Sequence, residues 1–164
     1  MPLRIGHGYD VHRFRDEDGT TTHVRLGGVD VPCTAAIEAH SDGDVLVHAL
    51  CDALLGAAAL GDIGRHFPDT DARFAGADSM ALLAAVLEQV RAAGFAPANA
   101  DLTLVAQRPR VAAFVDAMAE RLAAALGVVR GAVNVKATTT ERLGSIGSGA
   151  GLAAHAVVLL TEAS

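Results

Sequence analysis

The stretch "HSDGDVLVHALCDALLGAAA", residues 40–59, reads as one helix with chemistry on it. Ser41 or Asp42 stands where a helix cap is wanted. Leu46, Ala49, Leu50, Ala53, Leu54 and Ala57 recur at helical spacing and predict an apolar face. Asp44, His48 and Asp52 recur every four residues. Each step of four drifts only about 40° from the helical period, so the three predict one polar stripe. A solvated face is the ordinary meaning of such a stripe. Here the neighbouring positions are apolar, which points the stripe at something specific.

The next landmark upstream is "GHGYDVH", residues 6–12, at the end of a strand predicted over 3–10. Asp10 and His12 are two apart, so a strand turns both side chains to one face. A carboxylate and an imidazole on one face are two parts of a divalent-metal site. D-x-H alone is commonplace. With His48 the set has three protein ligands, and a fourth position left open is the pattern of a catalytic zinc. His7 falls on the opposite face and has no role assigned. His155 lies in an apolar strand and reads as a core or interface residue.

The rest of the chain alternates strands and helices. "HVRLGGVDV" (23–31) predicts a hairpin about Gly27-Gly28. Residues 61–71 read as a loop with one helical turn. Asp78 or Ser79 caps a helix to about Ala93, which Gly94 ends. Residues 101–106 alternate as a strand, and Pro109 suits the first turn of a third helix ended by Gly127. Its stripe is Val111, Phe114, Val115, Met118, Leu122 and Leu126. Val133, Val135 and Ala137 mark a further strand. The glycine-rich 144–151 reads as a tight bend, and 152–161 as the last strand. The prediction is an α+β single domain over 1–164: a mixed β-sheet with helices packed on one face.

Composition narrows the function. The 164 residues suffice for one core, and 51% are hydrophobic against 4% aromatic, so the core is Ala, Val and Leu. A net charge of −6 argues against nucleic acid or an anionic membrane as partner. Phosphate ligands stay open, because metals and backbone N–H groups can hold them. Cys33 and Cys51 form no C-x-x-C pair, which fits a reduced cytoplasm. The N-terminus has no signal-peptide pattern. Ala53–Leu60 is too short to span a bilayer.

"KATTTE" (136–141) places hydroxyls and N–H groups where phosphate oxygens can sit, and Glu141 suits a hard cation. A threonine-rich strand edge is the plainer account of the same residues. "AQRPR" (106–110) joins a strand to a helix and can present N–H groups and two arginines. "GSIGSGAG" (144–151) lacks the lysine of a P-loop.

Taken in order, "GHGYDVHRF", "AHSDGDVLVHALCDALLGAAALGDIGRHFPDTD", "AQRPR" and "NVKATTTERLG" closely resemble the 2-C-methyl-D-erythritol 2,4-cyclodiphosphate synthases of the non-mevalonate isoprenoid pathway. The likeness runs from residue 4 to about residue 160. It implies a phosphorus–oxygen lyase. The substrate's 2-phosphate attacks the β-phosphate of its own cytidine diphosphate and releases CMP. It implies zinc, one per subunit, on Asp10, His12 and His48, and a second divalent ion, Mg²⁺ or Mn²⁺, on Glu141. His40 and Thr139 match positions credited with stabilising the transition state. Substrate contacts are implied for Asp10, His12, His40 and Ser41, and for the methylerythritol pocket at Asp62, Ile63 and Gly64. The loop Phe67, Pro68, Asp69, Thr70 and Asp71 follows that pocket. The cytidine diphosphate side maps onto Ala106, Gln107, Arg108, Pro109, Arg110, Val111 and Ala112, with Thr138, Thr139, Thr140 and Glu141. The resemblance also implies a homotrimer with active sites at subunit interfaces.

Asp52, one turn beyond His48, is our own addition: it is placed to orient that ring or a substrate hydroxyl. The chain departs from its relatives at Ser145, where many carry a bulky residue. Ser148 and Ala150 stand where many have an arginine and a glutamate, so an anion-binding arginine near the trimer axis is absent here. Arg110 replaces a common lysine, which keeps charge but not geometry. The same triad also fits a zinc-dependent hydrolase of a nucleotide diphosphate, or a metal-stabilised trimer with no activity. The product separates the first two: cyclisation gives CMP and a cyclic diphosphate, and hydrolysis an acyclic phosphate.

Overall fold

A computed structural model describes residues 3–15, 17, 19–68 and 76–163. Four strands come first: β1 (Arg4–Phe14), β2 (His23–Leu26), β3 (Val29–Pro32) and β4 (Ile37–Glu38). Then follow α1 (Val45–Ala57), α2 (Ile63–His66), α3 (Ser79–Ala92) and β5 (Phe95–Ala106). The chain closes with α4 (Val115–Leu126), β6 (Val133–Thr138), the single turn α5 (Gly144–Gly147) and β7 (Gly151–Glu162).

The main sheet has the order β4-β1-β7-β5-β6. β1 and β5 flank β7 antiparallel, while β5 and β6 run parallel, so the sheet is mixed as expected. Leu102, Leu104, Leu152, Ala154, Ala156 and Val158 point to one face and are buried with α1, α3 and α4 in one core. The opposite face is open. There Ile5, Tyr9, Val11 and Val157 stay 75%, 50%, 50% and 44% exposed. His155 lies on this open face too, exposed, with its Nδ1 3.1 Å from His7 Nε2, so it is not a core residue.

β1 reaches Phe14 rather than stopping at residue 10, because its pairing with β7 continues to Arg13 and Gly151. Asp10 and His12 are therefore inside a strand and not at its end. β5 begins at Phe95, earlier than the alternating pattern shows, with an irregularity between Pro97 and Asn99.

α1 lies directly on β1, and glycine permits it. A Cβ on Gly6 would stand 1.9 Å from the Ala53 carbonyl oxygen, and one on Gly8 1.8 Å from that of Ala49. Leu46, Leu50 and Leu54 of α1 are fully buried; each contributes roughly 1.5–3 kcal/mol.

The cap of α1 is Asp44, not Ser41 or Asp42. Gly43 has φ +76°, outside the helical region, so no helix runs back through it. The Asp44 carboxylate accepts from Val47 N at 3.1 Å. It also accepts from Gly27 N at 2.8 Å and Gly28 N at 2.7 Å. Those two glycines, at φ +58° and +74°, form the predicted β2–β3 turn. One buried carboxylate thus ties the hairpin to the start of the helix that carries His48. Burial pushes its pKa above the usual range, against the pull of the three N–H donors.

α4 starts at Val115, not at Pro109. Val111 and Phe114 join the core from a separate turn, closed by Phe114 N donating to Val111 O at 2.8 Å. The glycine-rich bend contains the helical turn α5. α3, capped by Asp78, and α4, ended by Gly127 in the left-handed region, agree with expectation. Among the described residues, no helix is long and apolar enough to cross a membrane.

Candidate metal centre and substrate pocket

β1 supplies Asp10 and His12 and α1 supplies His48. Asp10 Oδ2 lies 3.0 Å from His12 Nε2 and 3.1 Å from His48 Nδ1. The two imidazole nitrogens are 3.1 Å apart. This is the one cluster of three or more metal-ligating side chains among the described residues. Ligand atoms on a tetrahedral zinc at 2.0–2.1 Å are about 3.3 Å apart, so the donors are spaced for one ion.

Without an ion the three groups interact strongly. Burial pushes the Asp10 carboxyl up, but hydrogen bonds and charges from His12 and His48 outweigh it and hold it at about 2. Burial pushes His48 down, and Asp10, with the charges of Asp44 and Asp42, lifts it above its usual value.

The cluster sits in a cleft of about 390 Å³, which His40, Ser41, Ile63, Gly64 and Phe67 also line. These five sequence-derived positions therefore gather around the triad. Asp62 caps α2, its carboxylate accepting from Arg65 N at 2.9 Å. Pro68 is exposed at the end of this segment, and Asp69, Thr70 and Asp71 lie outside the described residues.

The predicted polar stripe breaks up. Only His48 faces the site, since Asp44 is the buried cap. Asp52 Oδ1 accepts from Ile63 N at 2.7 Å and so anchors α2 beneath the cleft, without bonding His48. Burial, with the charges of Asp62 and Asp10, raises its pKa against that bond. The nearest partner of His48 Nε2 is a residue that sequence reading missed in this role: Ser79 Oγ, at 2.8 Å. Its only local signal was a place at a helix start.

The residues that the resemblance maps to a cytidine diphosphate side form a second group. Thr140 N donates to Gln107 Oε1 at 3.3 Å, linking the β5 and β6 ends. Thr139 Oγ1 donates to Glu141 Oε1 at 3.2 Å and accepts from Glu141 N at 3.1 Å. Arg108 donates to Glu17 at 2.8 Å and stacks over Phe14. Arg110 and Ala112 are exposed; Val111 is a core residue, 5% exposed.

His12 and Ala106 both pair with Leu152, from opposite sides, and Thr138 pairs with Val105. The two groups are therefore at the same end of the sheet. β1 and β6 are three strand spacings apart, roughly 14 Å.

The YgbB family model matches residues 3–161. The chain belongs to the YgbB family. Curated relatives of this YgbB chain are named 2-C-methyl-D-erythritol 2,4-cyclodiphosphate synthase. That of Chromohalobacter salexigens is 61% identical over 160 residues, covering 98% of this chain and 96% of the relative. That of Nitrosococcus oceani is 57% identical, covering 98% and 99%. Their name is that of a cyclising synthase and not of a hydrolase.

Among solved structures, the bifunctional IspDF of Campylobacter jejuni superposes with TM-score 0.92 at 44% identity. This chain covers 43% of that longer protein and 99% of its own length. A CDP complex of IspF from Plasmodium falciparum gives TM-score 0.83 at 28% identity, covering 99% of this chain and 97% of that one.

Proposed function

We propose that the chain is a 2-C-methyl-D-erythritol 2,4-cyclodiphosphate synthase, acting as a single domain. It converts 4-diphosphocytidyl-2-C-methyl-D-erythritol 2-phosphate into the 2,4-cyclodiphosphate and CMP. The observation that carries the reading is the Asp10, His12 and His48 triad, spaced for one ion at an open cleft.

An oxygen of the 2-phosphate forms a bond to the β-phosphorus. The bond from that phosphorus to the oxygen bridging the α-phosphate breaks, and CMP leaves with the electron pair. This is phosphorus–oxygen lyase chemistry. The nucleophile is already an anion, so positioning and charge neutralisation carry the catalysis. Asp10, His12 and His48 would hold zinc, which would supply a Lewis acid for a phosphate oxygen, and Glu141 would hold a second divalent ion, Mg²⁺ or Mn²⁺. His40 and Ser41 line the cleft beside the triad, where they can meet phosphate oxygens. Ile63, Gly64 and Phe67 offer a wall for the methylerythritol part, with Asp62 and Pro68 beside it. Residues 106–112 and 138–141 take the cytidine diphosphate, and Thr139 steadies the transition state beside Glu141.

The separation of these two groups supports a site completed by a second copy. The exposed apolar residues on the open sheet face support the same assembly, a homotrimer. An acidic chain then meets an anionic substrate through metals and clustered N–H groups. Free Cys33 and Cys51 fit a reducing cytoplasm.

The test is incubation with the diphosphocytidyl substrate, Zn²⁺ and Mg²⁺, followed by phosphorus NMR. CMP and the cyclic diphosphate are expected to appear together. An acyclic phosphate alone, or no turnover, overturns the reading. His48→Ala and Asp10→Asn are expected to lose zinc, read by metal analysis, and sedimentation is expected to give a trimer.

A further inference from the structure

Asp42, Ser79 and His48 form a line of contacts that the reaction above does not use. Ser79 is the first residue of α3 and is fully buried. Its backbone N–H donates to Asp42 Oδ2 at 3.1 Å. Its hydroxyl donates to Asp42 Oδ1. The same oxygen lies 2.8 Å from His48 Nε2.

Proton counting gives this line a direction. A hydroxyl has one proton, and a carboxylate only accepts. The Ser79 proton goes to Asp42, so Ser79 Oγ accepts from the imidazole. In the neutral ring that can bind a metal, His48 Nε2 then carries the one hydrogen, and the Nδ1 lone pair is free to ligate. Nδ1 is the atom that faces Asp10 Oδ2 and His12 Nε2, each at 3.1 Å. Ser41 Oγ stands farther from Nε2, at 3.2 Å, and accepts from Gly43 N. The opposite tautomer would aim a hydrogen into the gap between the three ligand atoms.

We propose that Ser79, held by Asp42, is a positioning residue that keeps His48 in the Nε2–H form and presents Nδ1 to the metal. The inference rests on the triad being the zinc site. A metal-bound histidine whose other N–H loses its oxygen partner binds its metal about 10–100-fold more weakly. It also gives the α3 start a function: a residue of that helix sets the chemistry of a ligand on α1.

Ser79→Ala tests it, since the backbone bond to Asp42 and the helix are kept. Zinc affinity is measured by chelator competition for wild type, Ser79→Ala, Ser79→Thr and His48→Ala. The first variant is expected to bind zinc about 10–100-fold more weakly. Ser79→Thr keeps the hydroxyl and is expected to restore affinity. In zinc-loaded wild type, ¹⁵N-edited NMR is expected to show a slowly exchanging His48 Nε2–H, absent in Ser79→Ala. Wild-type affinity in Ser79→Ala, or a surviving protected Nε2–H, overturns the proposal. So does an equal loss in the alanine and threonine variants, which would mark a packing effect. If His48→Ala also binds zinc like wild type, the triad reading itself has failed.

Discussion

Gly8→Ala tests how the fold makes the site. The new Cβ would stand 1.8 Å from the Ala49 carbonyl oxygen, and 2.8 Å from both Ala49 C and Ala53 N. Ordinary contact begins near 3.4 Å, so relief needs a shift of about 1.6 Å. The clash is with backbone, so no rotamer change relieves it. β1 is paired with β7 from Arg4 to Arg13 and resists moving, which leaves α1 to be pushed out of the core. Overpacking costs about 1–3 kcal/mol, and a backbone clash belongs at the upper end. About 3 kcal/mol is roughly a hundredfold in the folding equilibrium.

The same displacement carries His48 away from Asp10 and His12. A metal site tolerates about 0.2 Å in its bond lengths, so zinc is lost as well. Urea unfolding with chelator present reads the first effect, and zinc content after desalting reads the second. Gly56→Ala is the control on the same helix. Nothing lies within 4 Å of its Cβ position, so it is expected to stabilise by about 0.5–1 kcal/mol. A Gly8→Ala protein with a wild-type midpoint and full zinc would refute the account of α1 resting on β1.

Further outcomes follow from the buried groups. Asp44→Asn leaves one acceptor oxygen for three N–H donors on two sides, and is expected to cost about 2–4 kcal/mol in urea unfolding. Metal-free protein should be most stabilised by the triad between about pH 4 and 6.5. His48, raised above 6.5, contributes fully below that value and loses its contribution as pH rises through the folded pKa. Asp10, lowered from 3.8 to about 2, contributes above 3.8 and loses it as pH falls through about 2. Urea midpoints against pH in chelator read both limbs, and His48→Ala should remove the upper one. A thiol reagent should label half-buried Cys33 in the native protein. Cys51 should react only on unfolding, because it is fully buried and burial pushes its thiol pKa up.

The sequence by itself determined what depends on near neighbours. The periodicity of α1, α3 and the body of α4, the glycine turn at 27–28 and the alternation of β6 are local patterns, and the structure has them. It also placed Asp10 and His12 on one face, because a strand alternates. His48 joined them through the motif, across thirty-six intervening steps that spacing alone could not bridge. Tertiary structure decided what long-range contacts set. Asp44 became the cap because the hairpin offered two N–H groups to it as well. Asp52 turned to α2, not to His48, because Ile63 N came within 2.7 Å. Ser79 met His48 because α3 packs along α1. The two residue groups of the proposed substrate site stand at the ends of different strands, since strand order follows pairing across the whole chain and no local pattern encodes it.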